Sequence, residues 1–233
     1  MDYSLKLIKN QGISYLTSPK LNKNHKIFIA FTNKDTGNLG LHVGDLSTSV
    51  IKNRQKLCEA TKIDLNDLTC AKQTHSDNFT VVKKSDVGRG SISYDVAIDN
   101  CDCLITKEAG VPLALFFADC LPLILVALDS REIAVIHAGR KGVKREIATK
   151  VLKKLLQSHP TESIRAFIGP HVGDCCYEVD LEQTVRRQLI GLGIPKSNVV
   201  SAGICTSCQN KHYFSYRVDN KCGRQAALAI IKK

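Results

Sequence analysis

A chain of 233 residues with 43% apolar side chains is long enough to bury a full core as one domain. Its net charge of +11 comes from scattered Lys and Arg without aromatic interleaving. This argues against a nucleic-acid partner and leaves a solvated basic surface compatible with anionic small substrates. The opening MDYSLKLIKN lacks the basic-then-apolar design of a secretion signal, so a cytoplasmic location is expected. In that compartment the ten cysteines read as core thiols, metal ligands or a nucleophile rather than disulfides.

Taken in chain order, Leu5 to Ile8 and Ile13 to Leu16 predict a hairpin around Asn10-Gln11-Gly12, followed by a buried strand from Lys26 to Phe31. A helix is predicted from Ser47, with Ser47 or Thr48 as N-cap and Val50, Ile51, Leu57 and Cys58 near helical spacing. Phe79 to Val82, Leu104 to Thr106, Leu113 to Phe117, Leu121 to Leu128 and Ile133 to His137 are strand-like, with a turn at Asp129 to Glu132. The apolar run from Val111 to Leu128 approaches a membrane span in length. Asp119, Cys120, Pro112 and Pro122 interrupt it, so two buried strands are expected and no membrane partner.

A helix from about Lys144 to Gln157 buries Ile147, Val151, Leu152 and Leu155 on one face and stops before Pro160. Then come a strand from Ile164 to Ile168, a helix from Leu181 to Ile190, a strand from Tyr213 to Tyr216 and a closing helix from Arg224 to Ile231. Hairpins mixed with helices point to α+β layering rather than a doubly wound parallel sheet. With no repeat and no Pro-, Gly- or Ser-rich linker, residues 1–233 are read as a single domain.

Three side chains stand at or near predicted strand ends: His75 in Gln73-Thr74-His75-Ser76, Cys120 at the end of Phe116 to Cys120, and His137 at the end of Ile133 to His137. A thiolate and two imidazoles suit zinc, and three protein ligands leave a fourth position open, the mark of a catalytic site. The intervals between them match no local metal-binding motif, and a lone histidine is more often structural.

Beyond these three residues, the motifs Asn38-Leu39-Gly40-Leu41-His42-Val43-Gly44-Asp45, Asn53-Arg54, Gln73-Thr74-His75, Asp102-Cys103-Leu104-Ile105-Thr106, Ala118-Asp119-Cys120-Leu121-Pro122 and His137-Ala138-Gly139 occur in order. Ile168-Gly169-Pro170, Cys176-Tyr177-Glu178-Val179, Cys205-Thr206 and Phe214-Ser215-Tyr216-Arg217 follow. In this series the chain resembles the YfiH family, also called the laccase-domain or multicopper polyphenol oxidoreductase family. The resemblance implies a four-layer α/β/β/α mixed sandwich and a zinc site on His75, Cys120 and His137. It also implies phosphorolysis of adenosine, inosine and methylthioadenosine with phosphate, and adenosine deamination alongside.

On the same footing, Arg54 is the leading substrate or phosphate contact, with Asn38 and His42 as further pocket residues. Catalytic roles are expected for Cys120 and Asp119. An extended strand would turn the Asp119 carboxylate away from Cys120, so Asp119 needs a bend or an indirect role. Two departures stand out: Arg140 occupies the place of a family tryptophan, and the interval between Val179 and Leu181 is shorter than usual.

Other schemes use the same residues. Cys120 as nucleophile with His137 as base gives a metal-free cysteine hydrolase or amidase, in which His75 is dispensable as a ligand. Copper-dependent polyphenol oxidation ranks third, because several coppers need more imidazoles than seven histidines supply. A zinc-stabilised interaction module built on Cys205-Thr206-Ser207-Cys208 requires a second cysteine pair, and neither Cys101-Asp102-Cys103 nor Cys175-Cys176 has the usual spacing. The oligomeric state is not fixed by the sequence.

Overall fold

The structure is a computed structural model and describes residues 3–233. It opens on the expected hairpin: β1 (Lys6–Asn10) and β2 (Ile13–Thr17) pair antiparallel with Asn10 opposite Ile13. The connection is therefore Gln11-Gly12, both left-handed at φ 48° and 80°, the geometry whose twist matches the flanking strands. A short helix not anticipated from sequence, α1 (Pro19–His25), starts on a proline and precedes β3 (Ile27–Thr32). Helix α2 (Ser47–Thr61) begins where expected, but its N-cap is Leu46 rather than Ser47 or Thr48.

Next come β4 (Thr69–Cys70), β5 (Phe79–Val81), β6 (Cys103–Thr106), β7 (Leu113–Phe117), β8 (Leu121–Ala127) and β9 (Glu132–Ala138). The helix expected from Lys144 is divided: α3 (Arg140–Lys144) ends, Glu146 takes a left-handed φ of 59°, and α4 (Ile147–Leu155) follows. β10 (Ile164–Ile168), α5 (Leu181–Gly191), β11 (Val199–Ser201) and β12 (Gln225–Ile231) complete the chain.

Two expectations fail near the C-terminus. Tyr213 to Tyr216 is turn and coil. The closing segment is β12, a strand paired antiparallel with both β3 and β7, not a helix. Its run of Ala, Leu and Ile is buried throughout, and a strand covered on both faces carries no alternation to distinguish it from a buried helix. Alanine's helix preference is under about 1 kcal/mol per residue, which two flanking ladders and full burial outweigh.

Two six-stranded sheets form, in the orders β1-β2-β3-β12-β7-β4 and β11-β10-β8-β9-β6-β5. Side-chain alternation divides the buried residues into three apolar layers. Ile27, Ile29, Phe31, Leu113, Leu115 and Phe117 of the first sheet meet Leu104, Ile124, Val126, Ile133 and Val135 of the second. The opposite face of the first sheet, with Phe28, Ala30, Phe116 and Leu228, packs on Leu57, Cys58 and Ala60 of α2. The opposite face of the second, with Leu123, Leu125 and Ile136, packs on Ile147, Val151, Leu152 and Leu155 of α4 and Val185 and Leu189 of α5. Each of these α4 side chains contributes about 1.5–3 kcal/mol by leaving water. Three apolar layers between two sheets and two helical faces make the four-layer α/β/β/α sandwich.

The chain passes from the first sheet to the second between β4 and β5, and again between β7 and β8. The apolar run Val111 to Leu128 is this second passage, and no helix of the described residues is long and apolar enough to cross a membrane.

Candidate metal centre

His75 lies on the first crossing and Cys120 on the second, and the two crossings are tied together. The Gln73 side chain donates to the Phe116 carbonyl (2.9 Å) and accepts from the Phe116 N–H (2.8 Å). Strand register supplies the third residue. Leu121 pairs with Ala138, so one further step sets Cys120 against Gly139, beside His137. The absence of a side chain at Gly139 is required, since a Cβ there would stand 2.8 Å from Cys120 Sγ and 3.1 Å from His75 Cδ2. One donor atom from each of His75, Cys120 and His137 falls within 4.8 Å of the others.

The sequence reading missed the residue that organises this cluster. Asp102, 0% exposed, directly precedes β6 and faces His137 by the β6–β9 register. Its carboxylate accepts from His137 Nδ1 (2.8 Å), leaving the other imidazole nitrogen to face Cys120. It also accepts the backbone N–H groups of Thr74 (3.1 Å), His75 (3.1 Å) and Ser76 (2.7 Å) and the Ser76 hydroxyl (2.7 Å). These bonds hold His75 in its left-handed conformation, φ 57°. The available signal was Asp102 at the head of the apolar run Cys103-Leu104-Ile105, a segment that entered the sequence reading as a motif with no role for its acid.

Burial favours a neutral Asp102, but His137 and Ser76 outweigh it and hold the carboxyl far below the usual range. Burial also pushes the Cys120 thiol up, while the His137 charge and hydrogen bonds from both histidines bring it down to about 6. His137 is pulled down by burial and raised to about 9 by Cys120 and Asp102. Without metal, these opposed shifts favour a thiolate on Cys120 beside an imidazolium on His137. Alkylation of Cys120 in metal-free protein should titrate near pH 6, whereas burial pushes up the thiols of Cys58, Cys70, Cys101 and Cys103. Peptide mapping after iodoacetamide pulses across pH checks this, and a Cys120 midpoint near 8.5 would contradict it.

A cavity of about 860 Å³ opens over the three donors, within the range of small-molecule sites. His42 lines it with its outer side exposed; partial desolvation, then Arg224 and Arg54, lower its pKa to about 4. Phe116, Tyr177 and Tyr216 supply aromatic wall, and Arg140, Lys141, Arg217 and Arg224 supply positive charge. Arg217 stacks on Tyr177 at 4.3 Å, and Arg140 pairs with Glu178 at 2.7 Å across the rim.

The other expected residues have different work. Arg54 is 1% exposed and absent from the cavity wall. Its guanidinium donates to the carbonyls of Leu39 (2.8 Å), Gly90 (2.6 Å) and Ser91 (2.6 Å) and stacks on Phe116 at 4.4 Å. It is a brace under the wall, where a substrate or phosphate contact was expected, because its helix face turns inward. Arg54→Ala should cost about 3–5 kcal/mol in denaturant unfolding. Unchanged stability with a raised KM for phosphate would restore it as a substrate contact.

Asn38 is also outside the cavity wall; its side chain accepts from Gly40 N (3.0 Å) and Arg224 N (2.8 Å), fixing the loop that carries His42. Asp119 is not in an extended strand, since β7 stops at Phe117 and Asp119 has φ 82°. It borders the cavity, but one carboxylate oxygen accepts Thr206 Oγ1 (2.6 Å) and the other Arg217 N (2.8 Å), so it anchors the loops around Cys120.

Known proteins place this geometry in context. The family profile described as multi-copper polyphenol oxidoreductase laccase matches residues 30–182 and 178–232. The purine nucleoside phosphorylase YlmD of Geobacillus stearothermophilus is 34% identical, covering 82% of each chain. The adenosine deaminase RL5 from an unknown prokaryotic organism is 28% identical, over 77% of this chain and 80% of its own. The crystal structure of YlmD from G. stearothermophilus superposes with a TM-score of 0.91 at 29% identity, covering 100% of both chains. That of the Bacillus licheniformis hypothetical protein YfiH gives 0.92 at 29%, covering 97% of this chain and 99% of the other. The chain therefore belongs to the multi-copper polyphenol oxidoreductase laccase family, whose members include enzymes named for purine nucleoside chemistry.

Proposed function

We propose that this chain is a zinc-dependent purine nucleoside phosphorylase acting on adenosine, inosine and methylthioadenosine, with adenosine deamination in the same cavity. The observation that carries the reading is the convergence of His75, Cys120 and His137 at a cavity with aromatic walls and a cationic rim. Relatives named as phosphorylases and as a deaminase support the substrate class.

Zinc fits the donor set: one sulfur and two imidazoles, with a carboxylate behind one imidazole. Among the described residues no further group of histidines assembles for a copper cluster, which argues against polyphenol oxidation. When bound, zinc supplies a Lewis acid that polarises a substrate oxygen or nitrogen.

The chain's own groups do the rest. Tyr216, 54% exposed, offers flat apolar surface to a purine ring, with Phe116 and Tyr177 completing the aromatic lining. Arg217, Lys141 and Arg224 attract phosphate and hold it beside the sugar, the role first assigned to Arg54. Asp102 keeps His137 in one tautomer and one orientation. Neutral His42 offers a hydrogen bond to base or sugar.

A second reading rests on the relay from Asp102 through His137 to Cys120, which also matches a cysteine hydrolase with its base and orienting acid. One experiment separates the schemes. Adenosine, inosine and methylthioadenosine are incubated with zinc-loaded and chelator-stripped protein, with and without phosphate, and products are resolved by chromatography. Phosphate-dependent release of free base that needs zinc is the expected result, and phosphate-independent conversion of adenosine to inosine reports deamination. Unchanged nucleosides would sink the proposal, and zinc-independent turnover would favour the hydrolase.

A further inference from the structure

The cysteines dismissed on spacing meet in space. The loop after β10 carries Cys175 and Cys176, and the loop after β11 carries Cys205 and Cys208. All four Sγ atoms lie within 4.8 Å of one another, and all four thiols are free. We propose that Cys175, Cys176, Cys205 and Cys208 form a second metal site, a closed tetrathiolate that takes Zn²⁺ and clips these two loops together.

Four features carry this assignment. Cys175 Sγ and Cys176 Sγ lie 3.5 Å and 3.4 Å from Cys208 Sγ. Tetrahedral zinc with bonds of about 2.3 Å sets sulfurs about 3.8 Å apart, so the thiols already sit near the required spacing. Cys205 Sγ accepts backbone N–H bonds from Gly173 (3.3 Å) and Cys208 (3.5 Å), the support that a ligating thiolate needs and a neutral core thiol does not. The backbone is pre-set as well. His171 bridges Cys205 in a parallel pairing, Thr206 N donates to the His171 carbonyl (2.9 Å), and Cys176 N donates to Gly173 (3.0 Å). Finally, Cys175 and Cys208 are exposed, and a cleft of about 410 Å³ beside Cys175 and Cys205 gives an ion access.

The sequence hid the site because half of it is a vicinal pair. Cys205-x-x-Cys208 is an ordinary half-site, whereas Cys175-Cys176 matches no spacing rule and becomes its complement only when β10 and β11 lie side by side.

Four protein sulfurs leave no open position, so this centre is structural. It braces the nucleoside cavity from behind. Thr206, between the two ligands of one half-site, donates to the Asp119 carboxylate, and Val172, just ahead of the other half-site, donates its N–H to the Asp119 carbonyl (2.9 Å). Both bonds fix the loop leading to Cys120. Loading converts thiols to thiolates and releases their protons, so binding weakens as pH falls.

The test uses full-length protein purified with zinc under reducing conditions. Metal analysis should find about two zinc ions per chain, falling by about one in Cys120→Ala and by about one in Cys205→Ser/Cys208→Ser. The spectroscopic arm begins with all four cysteines of the cluster intact. Cys120→Ala loaded with Co²⁺ should show the intense sulfur-to-cobalt charge transfer of a tetrathiolate, and Cys175→Ser should weaken that band. Zinc retained in Cys120→Ala with no zinc at the first site in wild type would still uphold this centre while counting against the proposed nucleoside chemistry. Absence of the cobalt band, or a zinc count unchanged by Cys205→Ser/Cys208→Ser, would overturn it.

Discussion

Cys120→Ala should reduce nucleoside turnover by at least about a thousandfold, equivalent to ~4 kcal/mol of transition-state stabilisation, while leaving the fold intact. The side chain is only partly buried and sits in a bend at the edge of the layer between the sheets, so its loss removes little apolar contact. What it removes is the sulfur that faces both imidazoles. Two histidines alone bind zinc far more weakly than three donors, so metal content and rate should fall together while the melting temperature shifts by only a few degrees. His75→Ala is the discriminating companion. In the metal reading it loses zinc and activity as Cys120→Ala does; in the cysteine-hydrolase reading it keeps most of its rate, because Asp102, His137 and Cys120 remain linked. A Cys120→Ala protein with full zinc at the first site and full activity would end both readings.

Asp102→Ala should be strongly destabilising, costing about 3–5 kcal/mol in urea unfolding. The carboxylate lies at the junction of β6, β9 and the His75 turn, and its removal leaves three backbone N–H groups and a histidine without their buried acceptor. Zinc affinity should fall about 10–100-fold in addition, read by competition with a chelator, because His137 loses the partner that orients it. Asp102→Asn keeps an acceptor oxygen but turns an NH₂ toward those N–H donors, so an intermediate loss is expected.

The pH dependence follows from the sign of the shift. The folded pKa of Asp102 lies below that of the unfolded chain, about 3.9, so its contribution is complete above that value and is lost as pH falls toward the folded value. Wild-type stability should therefore drop below about pH 4 more steeply than that of Asp102→Ala. Parallel acid limbs in the two proteins would show that the carboxylate is not the acid-sensitive link.

Sequence alone determined the elements whose pattern is local. The β1–β2 turn was legible because Gly12 tolerates the left-handed backbone that a two-residue connection requires. The amphipathic face of α4 was legible because Ile147, Val151, Leu152 and Leu155 return at helical spacing. The three metal-binding candidates were identified correctly as neighbours, through ordered motifs rather than through spacing.

Only tertiary structure decided the rest, and in each case the deciding interaction was remote in sequence. β12 is a strand because β3 and β7 flank it, although its own residues suit a helix equally well. Arg54 turned from an expected phosphate contact into a buried brace because three carbonyls from distant loops face it. Asp102 gained its role from the β6–β9 register, which sets it against His137, thirty-five residues away. Cys175 and Cys176 acquired Cys205 and Cys208 as neighbours only through the parallel pairing of β10 with β11. A local pattern records what a residue prefers; side-chain chemistry at a site depends on what the fold places opposite it, and a single sequence does not carry that pairing.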